Sequence, residues 1–492
     1  MGSVIVIGGG PSGLWLAAEL RLGGVDVTVV EQLPERNPHT KGFTIHPRTM
    51  EVWASRGIAD RFIRDARQLP SGHFGLLDER MDFGRLDTPF PYTLVLPQPR
   101  VEELLEEYAL ELGADIRLGH TFIGLEEKPG SVVARLTGPD GEYALEADYL
   151  VGCDGTRSAV RESAGIGFSG TDSTFYGWLA DVTLDEPPQQ VPYAHTNAAG
   201  TLMVIPMGPG VYRVGGLDLE DRSADWDGYT VEELRAKTAA VAGTDFGLRD
   251  PSWVSRSGNA AKLADQYRRG RVLLAGDAAH RHLPAGGVGL NVGLQDAWNL
   301  GWKLAATVRG WAPAGLLDTY ESERRPVGEE LLQMTNAQSV LMTAWTPEGE
   351  DLRSVLSNAI ARQPEFSRYL AESVSALSVA YPPVTADAHP LVGHRAPDLR
   401  FSQGTGLLSL LQPGRYVLLD LSGGRAATAA QAVTGVREPV VHVGTLAEDR
   451  ADWRDIRAAL VRPDGHVAWA CEKTDDEDLT ASTVAAIAAA GL

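Results

Sequence analysis

Two glycine-rich segments, each beside an acidic residue, contain the groups of this chain that are best suited to hold a polar ligand. The first reads GGGPSG at residues 8–13 and follows an apolar run at residues 4–7. Its glycines let a phosphate approach the backbone, and the helix that follows offers free N–H groups and a positive dipole end. Glu31 ends the next apolar run, where its carboxylate can accept a hydrogen bond from a ribose hydroxyl. Strand, glycine turn, helix and acid in this register predict dinucleotide binding, and they do not distinguish NAD from FAD.

The second segment lies hundreds of residues further along the chain. There the apolar run at residues 272–275 leads into Gly276 and Asp277. An Asp at such a place can simply cap a helix, and the Asp154-Gly155 pair after residues 149–152 is of a kind that most often forms a turn. An ordinary dinucleotide domain completes its site within one stretch of chain. The three segments together therefore favour one extended cofactor, FAD, with its adenosine end at the first loop and its ribityl chain at Asp277.

Three motifs in this order carry a resemblance to a known family. GGGPSG (residues 8–13), CDGTRSAVR (153–161) and GDAAHRHLP (276–284) resemble the single-component FAD-dependent aromatic hydroxylases of the p-hydroxybenzoate hydroxylase fold. GWAPAGLLDTYESERRPVG (310–328) and LVRPDGHVAW (460–469) are similar to a subgroup that acts on polycyclic polyketides and ansamycins. That subgroup includes angucycline and anthracycline hydroxylases and the rifampicin monooxygenases. The resemblance covers nearly the whole chain.

The resemblance implies an α/β fold with three parts. A discontinuous Rossmann-like FAD-binding domain comprises residues 1–175 and 270–385, a β-sheet substrate domain comprises 176–269, and a thioredoxin-like domain comprises 386–492. In the second part the residues predict several strands and one helix that begins at Thr230, with Glu233 in a capping box. In the third part they predict several strands, together with two helices at 452–459 and 479–490. Cys471 stands alone there, which predicts a structural or oligomer-contacting domain without redox chemistry.

The resemblance also implies contacts along the whole length of FAD. The expected cofactor-binding residues are Gly8, Gly10, Ser12, Gly13, Glu31, Gln32, Lys41, Gln98, Phe122, Asp154, Thr156, Asp277, Gly289, Leu290 and Asn291. Lys41 departs from the family, which commonly has arginine there, and lysine lacks the planar fork of a guanidinium. Backbone N–H groups around Leu290 and Asn291 begin a helix, whose dipole favours negative charge on the reduced flavin.

The chemistry that the resemblance implies is carried by the flavin. NADPH or NADH reduces FAD, O2 then forms a C4a-hydroperoxyflavin, and one oxygen atom passes to an electron-rich aromatic ring. We therefore expect no catalytic side chain and no metal cluster, and we assign Pro284 to the surface that shapes the flavin edge. His280 and His282 are expected to pack or to form hydrogen bonds. No second G-x-G-x-x-G occurs, so the nicotinamide cofactor is expected to have no Rossmann domain of its own.

The substrate-binding prediction rests on a strand pattern between residues 200 and 216. Alternation there places Met203 and Ile205 on one side, although packing in a core explains such a stripe equally well. Phe74 and Pro284 add surface, and Arg213 offers a guanidinium for a phenolate or ketone oxygen. The resemblance implies the same residue, since rifampicin monooxygenases carry an arginine at the matching position of a similar strand. The predicted substrate is a bulky polycyclic aromatic compound.

Length and charge bound the remaining possibilities. A chain of 492 residues is too long to fold around one hydrophobic core. Its formal net charge of −21 argues against nucleic acid or anionic membranes as partners. No apolar run is long enough to span a bilayer and no signal peptide is evident, which predicts a cytoplasmic monomer or homodimer. Baeyer–Villiger oxygen insertion and rifampicin-like antibiotic inactivation use the same flavin chemistry and stay open. A dehydrogenase or a noncatalytic binding protein is a further alternative, which a yellow purified protein would remove.

Overall fold

The computed structural model describes residues 2–39, 42–64, 66–218, 228–383, 385, 387–433, 437–472 and 475–492. Its central sheet has six strands. In spatial order they are Arg268–Arg269, Val272–Leu274, Tyr149–Gly152, Ser3–Ile7, Asp26–Glu31 and Asp115–Leu118. All neighbours pair in parallel except the first two, which are antiparallel. The apolar runs predicted as strands at 4–7, 149–152 and 272–275 thus form the buried middle of this sheet, as parallel strands covered on both faces do.

Helices cover the central sheet. Pro11–Leu22 packs against Gly289–Val308 and Gln98–Glu111, and Gly289–Val308 is buried along almost its whole length. The other helices before residue 390 are Pro47–Ala54, Ala59–Ile63, Ala159–Ser163, Val231–Ala242, Thr319–Met342, Pro347–Arg362 and Pro364–Ser375. Short 3-10 turns occur at Phe83–Arg85, Gly276–Ala278 and Ala285–Gly287. Among the described residues no helix is long and apolar enough to cross a membrane.

Four small antiparallel sheets extend this unit. One is the meander of Gly141–Ala147, Ser131–Gly138 and Thr121–Lys128, and another joins Phe168–Thr171, Ala261–Ala264 and His280–Arg281. A third combines Thr44–Ile45, Thr93–Val95 and Arg67–Leu69, and a hairpin pairs Ser71–Gly72 with Met81–Asp82.

The large antiparallel sheet has five strands, in the order Tyr193–Asn197, Gly200–Gly208, Val211–Leu217, Tyr176–Leu184 and Leu248–Gly258. Helix Val231–Ala242 packs on three of these strands and closes an apolar core around Trp178, Val204 and Leu234. The capping box predicted for this helix is confirmed. Thr230 Oγ1 accepts from the Glu233 backbone N–H at 3.2 Å, and Glu233 Oε2 accepts from the Thr230 N–H at 2.7 Å.

The last part of the chain forms a four-stranded sheet, in the order Val440–Val443, Val417–Asp420, Ala458–Val461 and Val467–Cys471. Its helices are Leu407–Leu410, Arg425–Gln431 and Asp476–Ala489. The helix predicted at 452–459 is wrong, because Ala458–Val461 is a strand whose four residues are all buried. Residues 451–455 form turns that lead into this strand, and the strands predicted next to them are present as Ala458–Val461 and Val467–Cys471. The mixed α/β fold class is confirmed.

A turn at residues 462–466, between the last two strands, contacts helices Gly289–Val308 and Thr319–Met342 through buried charges. Arg462 forms a bidentate ion pair with Glu323, both N–O distances being 2.8 Å, and Lys303 donates to the same carboxylate at 2.6 Å. Asp464 accepts from Trp302 Nε1 at 3.0 Å. Burial and the charge of Arg462 lower the pKa of Lys303 to about 7, against the opposing effect of Glu323. The charges of Arg462 and Glu323 are therefore paired with each other only while the turn contacts the helices.

Candidate active site

A single cavity of about 1180 Å³ is lined both by the glycine-rich loops and by the five-stranded sheet. Small-molecule sites usually measure roughly 300–1,000 Å³, so this cavity has room for a cofactor and a second molecule together. We call its two ends the glycine side and the sheet side. The glycine side is lined by Gly10, Ser12, Gln98, Thr156, Asp277, Gly289 and Leu290. The sheet side is lined by Leu69, Leu76, Trp178, Tyr193, Met203, Ile205, Leu217 and Met342.

Three glycines of the first loop serve different purposes. Gly8 has φ +106°, and a Cβ built there would lie 2.3 Å from the Cys153 carbonyl oxygen. A Cβ on Gly13 would lie 2.0 Å from the Gly8 carbonyl oxygen. At Gly10, by contrast, a Cβ would meet no protein atom within 4 Å, and the residue faces the cavity at the start of a helix. The protein's own packing requires the first two glycines, whereas the third leaves room for a ligand phosphate.

Glu31 braces this loop from behind. Its Oε2 accepts from the Gly9 N–H at 2.8 Å and its Oε1 accepts from the Leu33 N–H at 2.9 Å. A carboxylate has further lone pairs, so a ribose hydroxyl can still donate to it. Gln32 is exposed and does not line the cavity. Lys41 lies outside the described residues.

Arg36 is a cation beside the loop that the sequence motifs do not indicate. Its Nε is 2.7 Å from Glu106 Oε2, and its Nη1 donates to the Gly9 carbonyl. Its Nη2 is buried and has no hydrogen-bond partner within the described part of the chain. The residue lies in a loop between two prolines, where no spacing rule applies, and only its charge could have drawn attention to it.

The predicted Asp277 carboxylate faces the cavity. Asp277 is exposed there, and no described residue forms a hydrogen bond with its side chain. The turn that carries it is held by buried Asp296, whose Oδ2 accepts from the Gly276 N–H at 3.2 Å and from His280 Nε2 at 2.8 Å. Arg324 Nε donates to the other oxygen at 2.7 Å. Burial alone would favour a neutral Asp296, but Arg324 and His280 keep its pKa below the usual value.

Asn291 has all its side-chain hydrogen bonds within the protein. Its Oδ1 accepts from the His46 N–H and from Thr49 Oγ1, both at 2.8 Å. Its Nδ2 donates to the carbonyls of Thr44 at 3.0 Å and Gly287 at 2.9 Å. The side chain therefore ties three cavity segments together, and only backbone N–H groups of the first turn are left for a cofactor. This agrees with the backbone contact expected at Leu290 and Asn291.

Two further predicted cofactor residues, Asp154 and Phe122, do not line the cavity. Asp154 accepts from Ser158 Oγ at 2.5 Å and from the Val160 N–H at 3.1 Å, so its carboxylate caps the helix Ala159–Ser163. Phe122 is buried in the main core. The short polar side chain of Asp154 turns back on its own helix, which is the common alternative for an Asp-Gly pair. The neighbouring Thr156 does line the cavity.

The structure also corrects two of the predicted substrate residues. Arg213 is 2% exposed, and its Nε and Nη2 each donate to Asp181 at 2.8 Å. Asp181 stands opposite Arg213 on the neighbouring strand, and this cross-strand pairing is not visible in the sequence pattern. The guanidinium lies 5.6 Å from the ring centre of Phe43, which does line the cavity. Arg213 thus supports the wall from behind, and Phe74 belongs to a separate apolar core.

The other predicted substrate residues, Met203, Ile205 and Pro284, line the cavity. The sheet side also carries polar residues, and the sequence did not predict a substrate contact for them. They include His73, Asp78, Arg80, Arg256, Arg281 and His282. Arg281 and His282 belong to the GDAAHRHLP segment, whereas the others share no motif. Among the described residues no group of three or more His, Cys, Asp or Glu side chains could hold a metal ion.

Comparison with known proteins identifies the family. Residues 1–335 match the family described as FAD binding domain, and residues 389–490 match the C-terminal domain of aromatic-ring hydroxylases. The chain belongs to the FAD-dependent aromatic-ring hydroxylases. It is 42% identical to a rifampicin monooxygenase of Streptomyces venezuelae, with 97% of both chains covered.

Two solved structures of hydroxylases are similar along almost their whole length. The anhydrotetracycline hydroxylase of Streptomyces rimosus is 41% identical, has a TM-score of 0.86 and covers 96% of both chains. An aromatic hydroxylase from angucycline biosynthesis is 42% identical with a TM-score of 0.88, covering 98% of this chain and 99% of that one. The hydroxylase therefore has the p-hydroxybenzoate hydroxylase fold expected from its motifs, and the alternative of a noncatalytic binding protein or dehydrogenase is excluded.

The glycine side of this hydroxylase fits FAD. The open space at Gly10 suits a pyrophosphate, the unpaired Asp277 carboxylate suits a ribityl hydroxyl, and the helix start at Gly289 suits the flavin carbonyls. FAD is the cofactor of flavin monooxygenases, and NAD(P)H and O2 are their co-substrates. Bound FAD would supply the oxygen-activating chemistry.

Proposed function

We propose that the protein hydroxylates a bulky polycyclic aromatic compound of the polyketide or ansamycin antibiotic type, using O2 and NADPH or NADH. The observation that carries this proposal is the cavity itself, whose glycine side fits FAD while its sheet side is mostly apolar and large enough for a fused-ring compound. The similar enzymes named above are an anhydrotetracycline hydroxylase, a rifampicin monooxygenase and an aromatic hydroxylase from angucycline biosynthesis. Anhydrotetracycline, rifampicin and angucyclines are all large compounds that contain fused aromatic rings.

In this proposal, the cofactor is held by the glycine side. Gly10, Ser12, Gln98, Thr156, Asp277, Gly289 and Leu290 contact it, while Gly8, Gly13, Glu31 and Asn291 keep the contacting backbone in place. Met203, Ile205 and Pro284 contact the substrate. The apolar walls hold an aromatic ring beside the flavin and exclude water from the reacting atoms.

The domain division that we propose follows the sheets. The central sheet and its helices (residues 1–175 and 270–385) bind FAD, residues 176–269 form the substrate domain, and residues 386–492 form a structural C-terminal domain. Its net charge of −21 disfavours nucleic acid and anionic membranes as partners, since they carry the same sign of charge. The proposed oligomeric state is a monomer or homodimer.

The test uses the purified yellow enzyme with NADPH or NADH and ¹⁸O₂. Anhydrotetracycline, rifampicin and a set of angucyclinones are supplied in turn, and products are examined by mass spectrometry and NMR. We expect one ¹⁸O atom in a new hydroxyl on an aromatic ring. Oxygen inserted beside a ketone would instead show Baeyer–Villiger activity, and hydrogen peroxide as the product with every compound would contradict the proposed substrate class.

A further inference from the structure

A hairpin brings two polar side chains together on the sheet side of the cavity. Strands Ser71–Gly72 and Met81–Asp82 pair antiparallel, with Gly72 opposite Met81. His73 and Arg80 directly follow and precede this pair, so they face each other across the hairpin. Arg80 Nε donates to Ser71 Oγ at 3.0 Å. Both His73 and Arg80 line the cavity, beside Leu69, Leu76 and Leu77.

His73 is equipped to accept a hydrogen bond. Its Nδ1 is buried without a partner among the described residues, while its Nε2 has no hydrogen bond in the same part of the chain and is open to the cavity. Burial and the nearby charge of Arg80 lower the pKa of His73 to about 4. At neutral pH its ring is therefore neutral, with a lone pair on one nitrogen.

Arg80 complements this acceptor with donors. No carboxylate within the described residues forms an ion pair with it, and Ser71 takes up only its Nε–H. The remaining N–H groups of a guanidinium are strong donors in a fixed plane. An imidazole lone pair and a guanidinium in one apolar wall make a site for two oxygens of opposite hydrogen-bonding character.

We propose that His73 and Arg80 form a subsite that binds a hydroxyl and a carbonyl oxygen on the same edge of a polycyclic aromatic ring system. His73 accepts from the hydroxyl, and Arg80 donates to the carbonyl oxygen. This inference rests on the proposed function and narrows its substrate class to hydroxyquinones and related hydroxyketones. A substrate whose hydroxyl is methylated would leave the imidazole unpaired, and sites with buried polar groups reject such analogues strongly.

The test measures the dissociation constant of each probe for the FAD-loaded enzyme, with the change in flavin absorbance as the readout. The probes are 1-hydroxyanthraquinone and 1-methoxyanthraquinone. We expect the wild-type enzyme to bind the hydroxy compound about tenfold more tightly. His73→Leu should reduce this preference to near unity, whereas His73→Gln, which keeps an acceptor, should retain part of it. Arg80→Met should weaken binding of both probes and keep the preference.

Arg85→Met is the matched control, because Arg85 lies in the same segment, is exposed and does not line the cavity. It should leave both dissociation constants unchanged. If the wild-type enzyme binds the two probes equally, or if His73→Leu retains the full preference, the subsite is wrong. The preference on the wild-type enzyme needs no variant, so it decides the matter even if His73→Leu fails to fold.

The subsite and the proposed function fail in different ways. Preference for the hydroxy probe without hydroxylation of any polycyclic phenol would support the subsite and contradict the function. Hydroxylation without such a preference would support the function and overturn the subsite. Binding of neither probe would overturn the subsite, whereas the function is decided by the product test with ¹⁸O₂.

Discussion

Gly10 and Ile205 both line the cavity, but different features of the chain put them there. Gly10 belongs to a continuous strand, turn and helix, and its neighbours Gly8 and Gly13 are fixed by the same local backbone. Ile205 lies on a strand whose position depends on the pairing of five strands from distant parts of the chain. The glycine side is thus specified locally, whereas the sheet side is specified by long-range packing.

The two sides also differ in what supports them. Behind the glycine side lie buried ion pairs, such as Asp296 with Arg324 and Lys303 with Glu323. Behind the sheet side lies an apolar core with one buried ion pair, Arg213 with Asp181, among the described residues of its strands. We therefore expect substitutions at the glycine side to affect cofactor binding, and substitutions of that one ion pair to affect folding.

The largest expected effect concerns Arg213. Arg213→Ala leaves the Asp181 carboxylate buried without its counter-charge, and breaking a buried pair typically costs about 3–5 kcal/mol. Urea denaturation should show this loss in the free energy of unfolding. Arg249→Ala is the control, because Arg249 pairs with Asp185 on the same sheet but is exposed. A stable Arg213→Ala protein with a raised Michaelis constant would show that Arg213 serves the substrate after all.

The next effect separates FAD binding from stability. Asp277→Ala removes a charged hydrogen-bond partner of the ribityl chain, which typically costs roughly 1.5–3 kcal/mol. The dissociation constant of FAD, measured with the apoenzyme, should rise about tenfold or more. Asp140→Ala, in an exposed turn outside the cavity, should leave it unchanged. Full FAD content and unchanged turnover in Asp277→Ala would contradict the assignment.

Gly10 sharpens the comparison at the level of one methyl group. A Cβ at Gly10 fits the protein, so Gly10→Ala should leave the melting temperature of the apoenzyme unchanged. In the holoenzyme the same methyl group crowds the phosphate, at a cost of roughly 1–3 kcal/mol of FAD affinity. Gly208→Ala is the matched control, since a Cβ there also meets nothing within 4 Å but does not face the cavity. Equal effects of the two substitutions would argue against a phosphate at Gly10.

The last effect is a pH dependence, which is small at each step of pH. The pKa of Lys303 is about 7 in the folded protein and near the ordinary lysine value of 10.5 in the unfolded chain, so between these values the unfolded chain binds one more proton. Stability should therefore rise with pH from about 7 to about 10, by about 1 kcal/mol per pH unit at most. Lys303→Met should flatten this rise in urea denaturation curves, whereas Lys262→Met, at an exposed ion pair, should not. An unchanged slope in Lys303→Met would show that another group titrates there.

How much the sequence predicts follows the same division. The strands at 4–7, 149–152 and 272–275, the glycine turn and the exposed Asp277 are local features, and the sequence predicted each of them. Arg213 was misplaced because its partner Asp181 is identified only by strand register. His73, Arg80 and Arg36 were missed because their importance comes from neighbours brought in by the fold. Asp154 shows that even a local motif can place a side chain on its own helix instead of the ligand.

The turn at residues 462–466 makes the rest of the chain depend on its C-terminal domain. Its Arg462 is the bidentate partner of Glu323, a residue of the helix that packs beside the cofactor loops. A gene shortened before this turn would encode a protein with Glu323 and Lys303 left to each other in an opened core, at the cost that unpaired buried charges carry. The C-terminal domain of this enzyme therefore cannot be removed without leaving buried charges unpaired.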